Sequence, residues 1–189
     1  LVLFFKKELL PSRLISSRLR TITMADGILL RDATAEDAEA IAALVRELAI
    51  YERLGHEVTA TPQDFRAALF GAVPRAHAMI ADAGGTSIGL ALYFFNFSTF
   101  VGRHGLYVED VFVQPAYRGR RIGRAFFQAL AARAMAEGCR RMEWAVLEWN
   151  EPALNFYRNL GAVPMSDWTV QRLAGDALHA LAQEGNIYV

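Results

Sequence analysis

The sequence predicts an α/β domain whose central sheet is mixed and mostly antiparallel, with helices on its flanks. Three observations carry this. From Ile28 onward, stretches with two-residue and with helical apolar spacing alternate along the chain. The segment Val108-Glu-Asp-Val-Phe-Val-Gln-Pro-Ala-Tyr-Arg-Gly-Arg-Arg-Ile-Gly-Arg124 reads as a buried strand, a turn, a glycine-punctuated loop and a helix start. At 189 residues, 53% of them hydrophobic, the chain is long enough for one domain with a real core.

The elements follow in order. Ile28 to Arg31 forms a short first strand. Thr34 caps a helix with Asp37 as its capping-box partner, and Ile41, Leu44, Val45 and Leu48 give that helix one packed face. Thr61-Pro-Gln-Asp64 opens a second helix: a cap, a proline at the first helical position and an acid in the first turn. Ala76 to Ala81 and Ser87 to Phe95 are strands around an Asp82-Ala-Gly-Gly85 turn. Gly105 to Val113 is the central strand. Arg121 to Glu137 is a long helix stopped by Gly138, and Arg141 to Leu147 is the next strand. Asn150 caps a helix that ends at Gly161, with Pro152 tolerated in its first turn. Trp168 to Leu173 is expected to be a last strand, followed by a short helix through Leu178.

Composition narrows the function classes. No uncharged run reaches the length of a membrane span, so no membrane partner is expected. Cys139 is the sole cysteine; it suits a reducing, cytoplasmic compartment and reads as a structural thiol rather than a nucleophile. His56, His77, His104 and His179 have no metal-ligand spacing, so no metal is expected. The overall charge is zero, but residues 1–23 hold five basic side chains against Glu8. The remainder is therefore acidic, which argues against a nucleic-acid surface and suits a cationic substrate. Residues 1–23 read as a non-core extension, either a stretch upstream of the true start at Met24 or a targeting segment. Residues 24–189 read as a single domain.

The loop after the central strand aims backbone N–H groups at one point, a geometry that binds phosphate. A Walker A motif is absent, and Gly119 and Gly123 alone cannot make the dinucleotide-binding spacing. Arg118-Gly-Arg-Arg-Ile-Gly123 instead resembles the cofactor motif of the GNAT N-acetyltransferases, with Arg121 where the middle glycine is usual. The resemblance spans about Ile28 to Leu181 and is closest to the spermidine/spermine and thialysine (diamine) acetyltransferases. It is carried by Leu30-Arg-Asp-Ala-Thr-Ala-Glu-Asp37, Glu47-Leu-Ala-Ile-Tyr-Glu52, Gly89-Leu-Ala-Leu-Tyr-Phe-Phe95, Leu106-Tyr-Val-Glu-Asp110 and Glu148-Trp-Asn-Glu-Pro-Ala-Leu-Asn-Phe-Tyr-Arg-Asn-Leu-Gly-Ala162.

That resemblance implies a GNAT fold with central strands splayed at the cofactor site, and acetyl transfer from acetyl-CoA to a primary amine in a ternary complex. It implies that Val111, Phe112 and Val113 line the pantetheine arm, and that Arg118, Gly119, Arg120, Arg121, Ile122, Gly123 and Arg124 cradle the pyrophosphate. It further implies that Asn150 contacts the cofactor and that Tyr157 reaches its sulfur as general acid.

The acceptor amine has a pKa of about 10, so it needs a base or a desolvating site. Glu109, in an apolar strand, is the candidate base. Strand alternation places neighbouring Asp110 on the opposite face, as a substrate or partner contact. Tyr51, Glu52, Ser98, Phe100 and Trp168 are the other acceptor-site candidates. Ser98 and Phe100 stand where the spermidine/spermine enzymes carry an acid and a tryptophan, which favours a short diamine or lysine-like amino acid over spermine. The resemblance also implies a homodimer. A GNAT enzyme acting on a protein lysine or N-terminus, and a non-catalytic acyl-CoA sensor, are the alternative readings.

Overall fold

The computed structural model describes residues 21–184. Most of the expected N-terminal extension therefore lies outside the described residues. Those residues fall into two compact units, one ending at Ala145 and one beginning at Val146.

The first unit is built on a six-stranded sheet whose neighbours follow chain order: β1 (Ile22–Thr23), β2 (Leu29–Asp32), β3 (His77–Ala83), β4 (Thr86–Ser98), β5 (Arg103–Val113) and β6 (Met142–Trp144). All pairs are antiparallel except β5 with β6. The sheet thus starts earlier than expected, since Ile22–Thr23 pairs with Leu29–Leu30.

Helices α1 (Ala38–Tyr51) and α2 (Pro62–Phe70) are in contact with each other, and α1 also meets β4 and β5. Ile41, Leu44 and Leu48 of α1 and Leu69 of α2 share one core with Ile80, Leu90, Leu92 and Phe112 of the sheet. A second core joins α3 (Ile122–Ala136), through Ile122, Phe126, Ala129 and Leu130, to Leu30, Met79, Ala91, Tyr93, Leu106 and Val108. Two separate cores on one sheet make three layers.

The local signals act as expected at the helix starts. The Asp37 carboxylate accepts from the Thr34 backbone N–H at 2.7 Å, and Asp64 accepts from that of Thr61 at 2.8 Å. The Asp82 side chain closes the β3–β4 turn by accepting from Gly85 at 2.7 Å. A polar tie ordinary periodicity does not announce pins α3 to the sheet: Arg133 pairs with Asp32 at 2.7 Å and donates to the Tyr93 hydroxyl. Burial pushes that phenol up to about 12.

The second unit holds α4 (Glu151–Arg158) and α5 (Gly175–Gln183). The Asn150 side chain caps α4 by accepting from the Ala153 N–H at 3.3 Å. The expected strand over Trp168–Leu173 does not form, and α5 begins only at Gly175. Its β-rich composition has no strand partner among the described residues, and strand propensity without cross-strand packing is worth little.

Candidate active site

The site grows from the second half of β5. Strand β6 pairs with β5 only through Leu106, Tyr107 and Val108. From Glu109 to Val113 that edge of β5 has no strand partner among the described residues. This is the divergence the resemblance implied.

A β-bulge lies at the same place. Leu92 pairs with Asp110 and Tyr93 with Val108, so Glu109 is the extra residue. This corrects the expectation that Glu109 and Asp110 face opposite sides. Before the bulge Leu106 and Val108 pack in the α3-side core; after it Val111 and Val113 pack against that core. One inserted residue switches the parity, so Glu109 and Asp110 both belong to the α1 face. Electrostatics agree. Burial, then the charges of Glu109 and Glu52, push the Asp110 carboxyl up to about 6. Burial also raises Glu52, which caps the C-terminus of α1. Three carboxylates from two elements thus converge beside the unpaired edge.

Two contacts hold the end of α1 there. Gln114 donates to the Glu47 carboxylate at 2.9 Å. The Arg118 guanidinium lies over the Tyr51 ring, 4.7 Å from its centroid, and its Nε donates to the Val113 carbonyl at 3.0 Å. Arg118 therefore ties α1 to the end of β5, a role its place in the loop motif had not suggested. Phe112 is buried in the α1-side core, which leaves only its backbone to the strand edge.

The loop from Arg118 to Arg121 delivers the chain to the N-terminus of α3. Gly119 has φ +79 and Arg121 φ 63 with ψ 12, both left-handed. The helix has no side-chain cap and no acid in its first turn. The N–H groups of Ile122, Gly123 and Arg124, which have no intrahelical acceptor, stand at a positive helix end, with the exposed side chains of Arg120, Arg121 and Arg124 around it.

Within the first unit, Ser98 and Phe100 lie apart from the carboxylates. Ser98 is 8% exposed at the end of β4, opposite Arg103, and Phe100 is 92% exposed in the β4–β5 turn. Seven residues of strand separate Arg103 from Asp110, roughly 20 Å, so the chain does not bring Ser98 and Phe100 to its own carboxylates. In the second unit, Asn150 and Tyr157 bracket α4 two turns apart, the Tyr157 ring lies against Phe156, and Trp168 is exposed. Cys139 is buried in the α3-side core, which raises its thiol. Among the described residues no His, Cys, Asp and Glu group is placed to hold a metal ion, and no helix is long and apolar enough to cross a membrane.

A splayed strand edge next to a bare helix N-terminus suits an extended ligand with an anionic end, and comparison with known proteins says which family carries it. Residues 39–162 match the Acetyltransferase (GNAT) family. The chain is 36% identical over 166 residues to the thialysine N-epsilon-acetyltransferase of Bos taurus, a match covering 82% of this chain and 97% of that protein. It is 40% identical over 93 residues to the L-ornithine N5-acetyltransferase of Arabidopsis thaliana, covering 49% of this chain and 41% of that one. Among solved structures, an integron cassette protein from V. cholerae superposes with a TM-score of 0.70 at 24% identity, covering 82% and 98% of the two chains. That last likeness speaks to fold alone. The chain belongs to the GNAT acetyltransferase family and is an acyl-CoA-dependent N-acetyltransferase.

Proposed function

We propose that the protein moves the acetyl group of acetyl-CoA to the side-chain amine of a lysine-like amino acid or a short diamine. The observation that carries the acceptor is the convergence of Glu109, Asp110 and Glu52 on one face beside the open edge of β5. Three carboxylates suit a cation, and a partly desolvated site lowers the cost of making the amine neutral. The relatives named for thialysine and L-ornithine support the same class.

In this reading acetyl-CoA supplies the activated acetyl group. The N–H groups of Ile122, Gly123 and Arg124 and the surrounding arginines receive its pyrophosphate, and the unpaired edge at Val111 and Val113 receives its pantetheine arm as an added strand. Glu109 takes the ammonium proton, directly or through water, while Asp110 and Glu52 hold the substrate's positive charge. Tyr157 returns a proton to the leaving sulfur, and Asn150 and Trp168 contact cofactor and substrate. Residues 24–189 act as one domain. The enzyme works in the cytoplasm as a homodimer, the β4–β5 turn of one subunit bringing Ser98 and Phe100 toward its partner's site.

Two substitutions test the roles. Tyr157→Phe is expected to lower turnover by roughly a hundred- to ten-thousand-fold, the span of a lost general acid, with little change in acetyl-CoA affinity. Glu109→Gln is expected to slow the reaction most at low pH, where the amine is most protonated. Turnover at the parent rate in both variants would remove these assignments.

A further inference from the structure

One polar cluster on the same sheet face is used by nothing above. It lies where β4, β5 and β6 run side by side. Asn96 pairs with Gly105, Phe94 with Tyr107, and Tyr107 with Glu143. Cross-strand partners share a face, so Asn96, Phe94, Tyr107 and Glu143 lie on the side that carries Glu109.

There the Glu143 Oε2 atom accepts from Asn96 Nδ2 at 2.9 Å and meets Arg141 Nε at 2.9 Å. The cluster is built over Gly105. A Cβ at that position would meet Asn96 Oδ1 at 2.6 Å and Arg141 Cγ at 3.0 Å. Asn96 Oδ1 is itself buried with no hydrogen-bond partner. An exposed ion pair between near neighbours in sequence would not need a buried amide left half satisfied beneath it.

What the cluster leaves open is a pair of opposite charges. Among the described residues, the ion pair of Arg141 with Glu143 runs from Nε to Oε2, the same oxygen that accepts from Asn96. The terminal nitrogens of the guanidinium fork and the second carboxylate oxygen are uncommitted, on side chains 39% and 33% exposed. A fork matches a carboxylate in two-point geometry, and a carboxylate oxygen matches an ammonium. Together they complement an α-amino-acid head group, which carries both charges on one carbon.

The spacing fits as well. Glu143 lies one strand over from Tyr107, about 4.8 Å, and Glu109 two residues along from Tyr107, about 6.8 Å, so the two carboxylates are about 8 Å apart at their backbones. A side-chain amine separated from its α-carbon by four or five bonds of about 1.5 Å spans roughly 6 Å. Tyr107 adjoins both ends, and Phe94 backs its ring at 5.1 Å between centroids, an apolar surface for an alkyl stem.

We propose that Arg141 and Glu143 form the subsite that reads the α-carboxylate and α-ammonium of the acceptor, so that the enzyme selects a free basic amino acid over the corresponding diamine. This rests on the amine-acetylating reading above and narrows it. Arg141 reads the group the diamine lacks; Glu143 reads the ammonium both substrates share.

The test compares kcat/KM for L-ornithine with putrescine, and for L-lysine with cadaverine, each pair differing only by the carboxylate. In Arg141→Gln the amino-acid to diamine ratio is expected to fall by about ten- to hundred-fold, the worth of a charged hydrogen bond. Arg141→Lys, which keeps the charge without the fork, should lose less. Glu143→Gln should weaken both members of a pair together. A ratio that Arg141→Gln leaves at the parent value overturns the proposal, because a purely structural role would move both substrates equally. If the parent protein acetylates no amine while binding acetyl-CoA, the amine reading itself falls; a normal amine activity with an unmoved ratio removes this inference alone.

Discussion

Asp110 shows how a single carboxylate is set by its surroundings. Its folded pKa, about 6, lies above the ordinary 3.8, so the fold favours the protonated acid. Below pH 4 the group is protonated folded or unfolded and costs nothing. As pH rises from 4 through 6, the unfolded chain gains by ionising first, and stability falls by about 2–3 kcal/mol. Asp110→Asn is therefore expected to be more stable than the parent at pH 8 by about that amount, with no gain at pH 4. Urea unfolding at the two pH values checks it; equal gains at both would contradict the burial argument. Arg121 carries a different local cost. A non-glycine residue in the left-handed region costs about 1–2 kcal/mol, part of which glycine gives back through its freer unfolded chain. Arg121→Gly should raise stability by about 0.5–1 kcal/mol, and a destabilised variant would mean that the arginine side chain contributes more than its backbone costs.

At the scale of elements, the parts legible in the sequence are those with a local cause. The helix at Thr34 and the one at Thr61 declare themselves by cap and acid three residues apart, and both capping carboxylates sit where the pattern puts them. The helix that starts at Ile122 and its glycine stop were legible for the same reason: Gly138 takes φ +74. Features that depend on non-local pairing were not. Nothing in Val-Glu-Asp-Val announces a bulge, and strict alternation gave the wrong face for Asp110 once Leu92 paired past Glu109. Strand β6 stops at Trp144, three residues short of the apolar run, because its hydrogen bonds end where β5 diverges. The site was thus readable as a set of residue types, while the convergence of Glu52, Glu109 and Asp110 needed the fold. Arg118 was placed in the correct loop, but its side chain turns back onto Tyr51 rather than outward.

For the whole molecule, the β4–β5 hairpin leaves Phe95, Phe97, Phe100 and Val101 exposed close together in sequence. An apolar stretch of this kind is costly in water and marks an interaction surface. The homodimer reading gives it an occupant, and Phe97→Lys with Phe100→Lys should convert a dimer at micromolar concentration to a folded monomer, read by sedimentation and circular dichroism. A parent protein that sediments only as monomer would contradict that reading. The acidic balance of the chain beyond residue 23 agrees with a cationic acceptor at this scale, as the three carboxylates do at the scale of the site.

Acetyl transfer to a small amine at the carboxylate face of β5 is tested most directly by release of free CoA from acetyl-CoA by the purified protein across a panel of amines: thialysine, L-ornithine, L-lysine, putrescine, cadaverine, spermidine, spermine and a lysine-containing peptide. CoA release should be matched one-for-one by acetylated product, highest for the basic amino acids, lower for short diamines and lowest for spermine and the peptide. Release with spermine or the peptide ahead of every small basic amino acid, or bound acetyl-CoA with no acetylated amine at all, would contradict it.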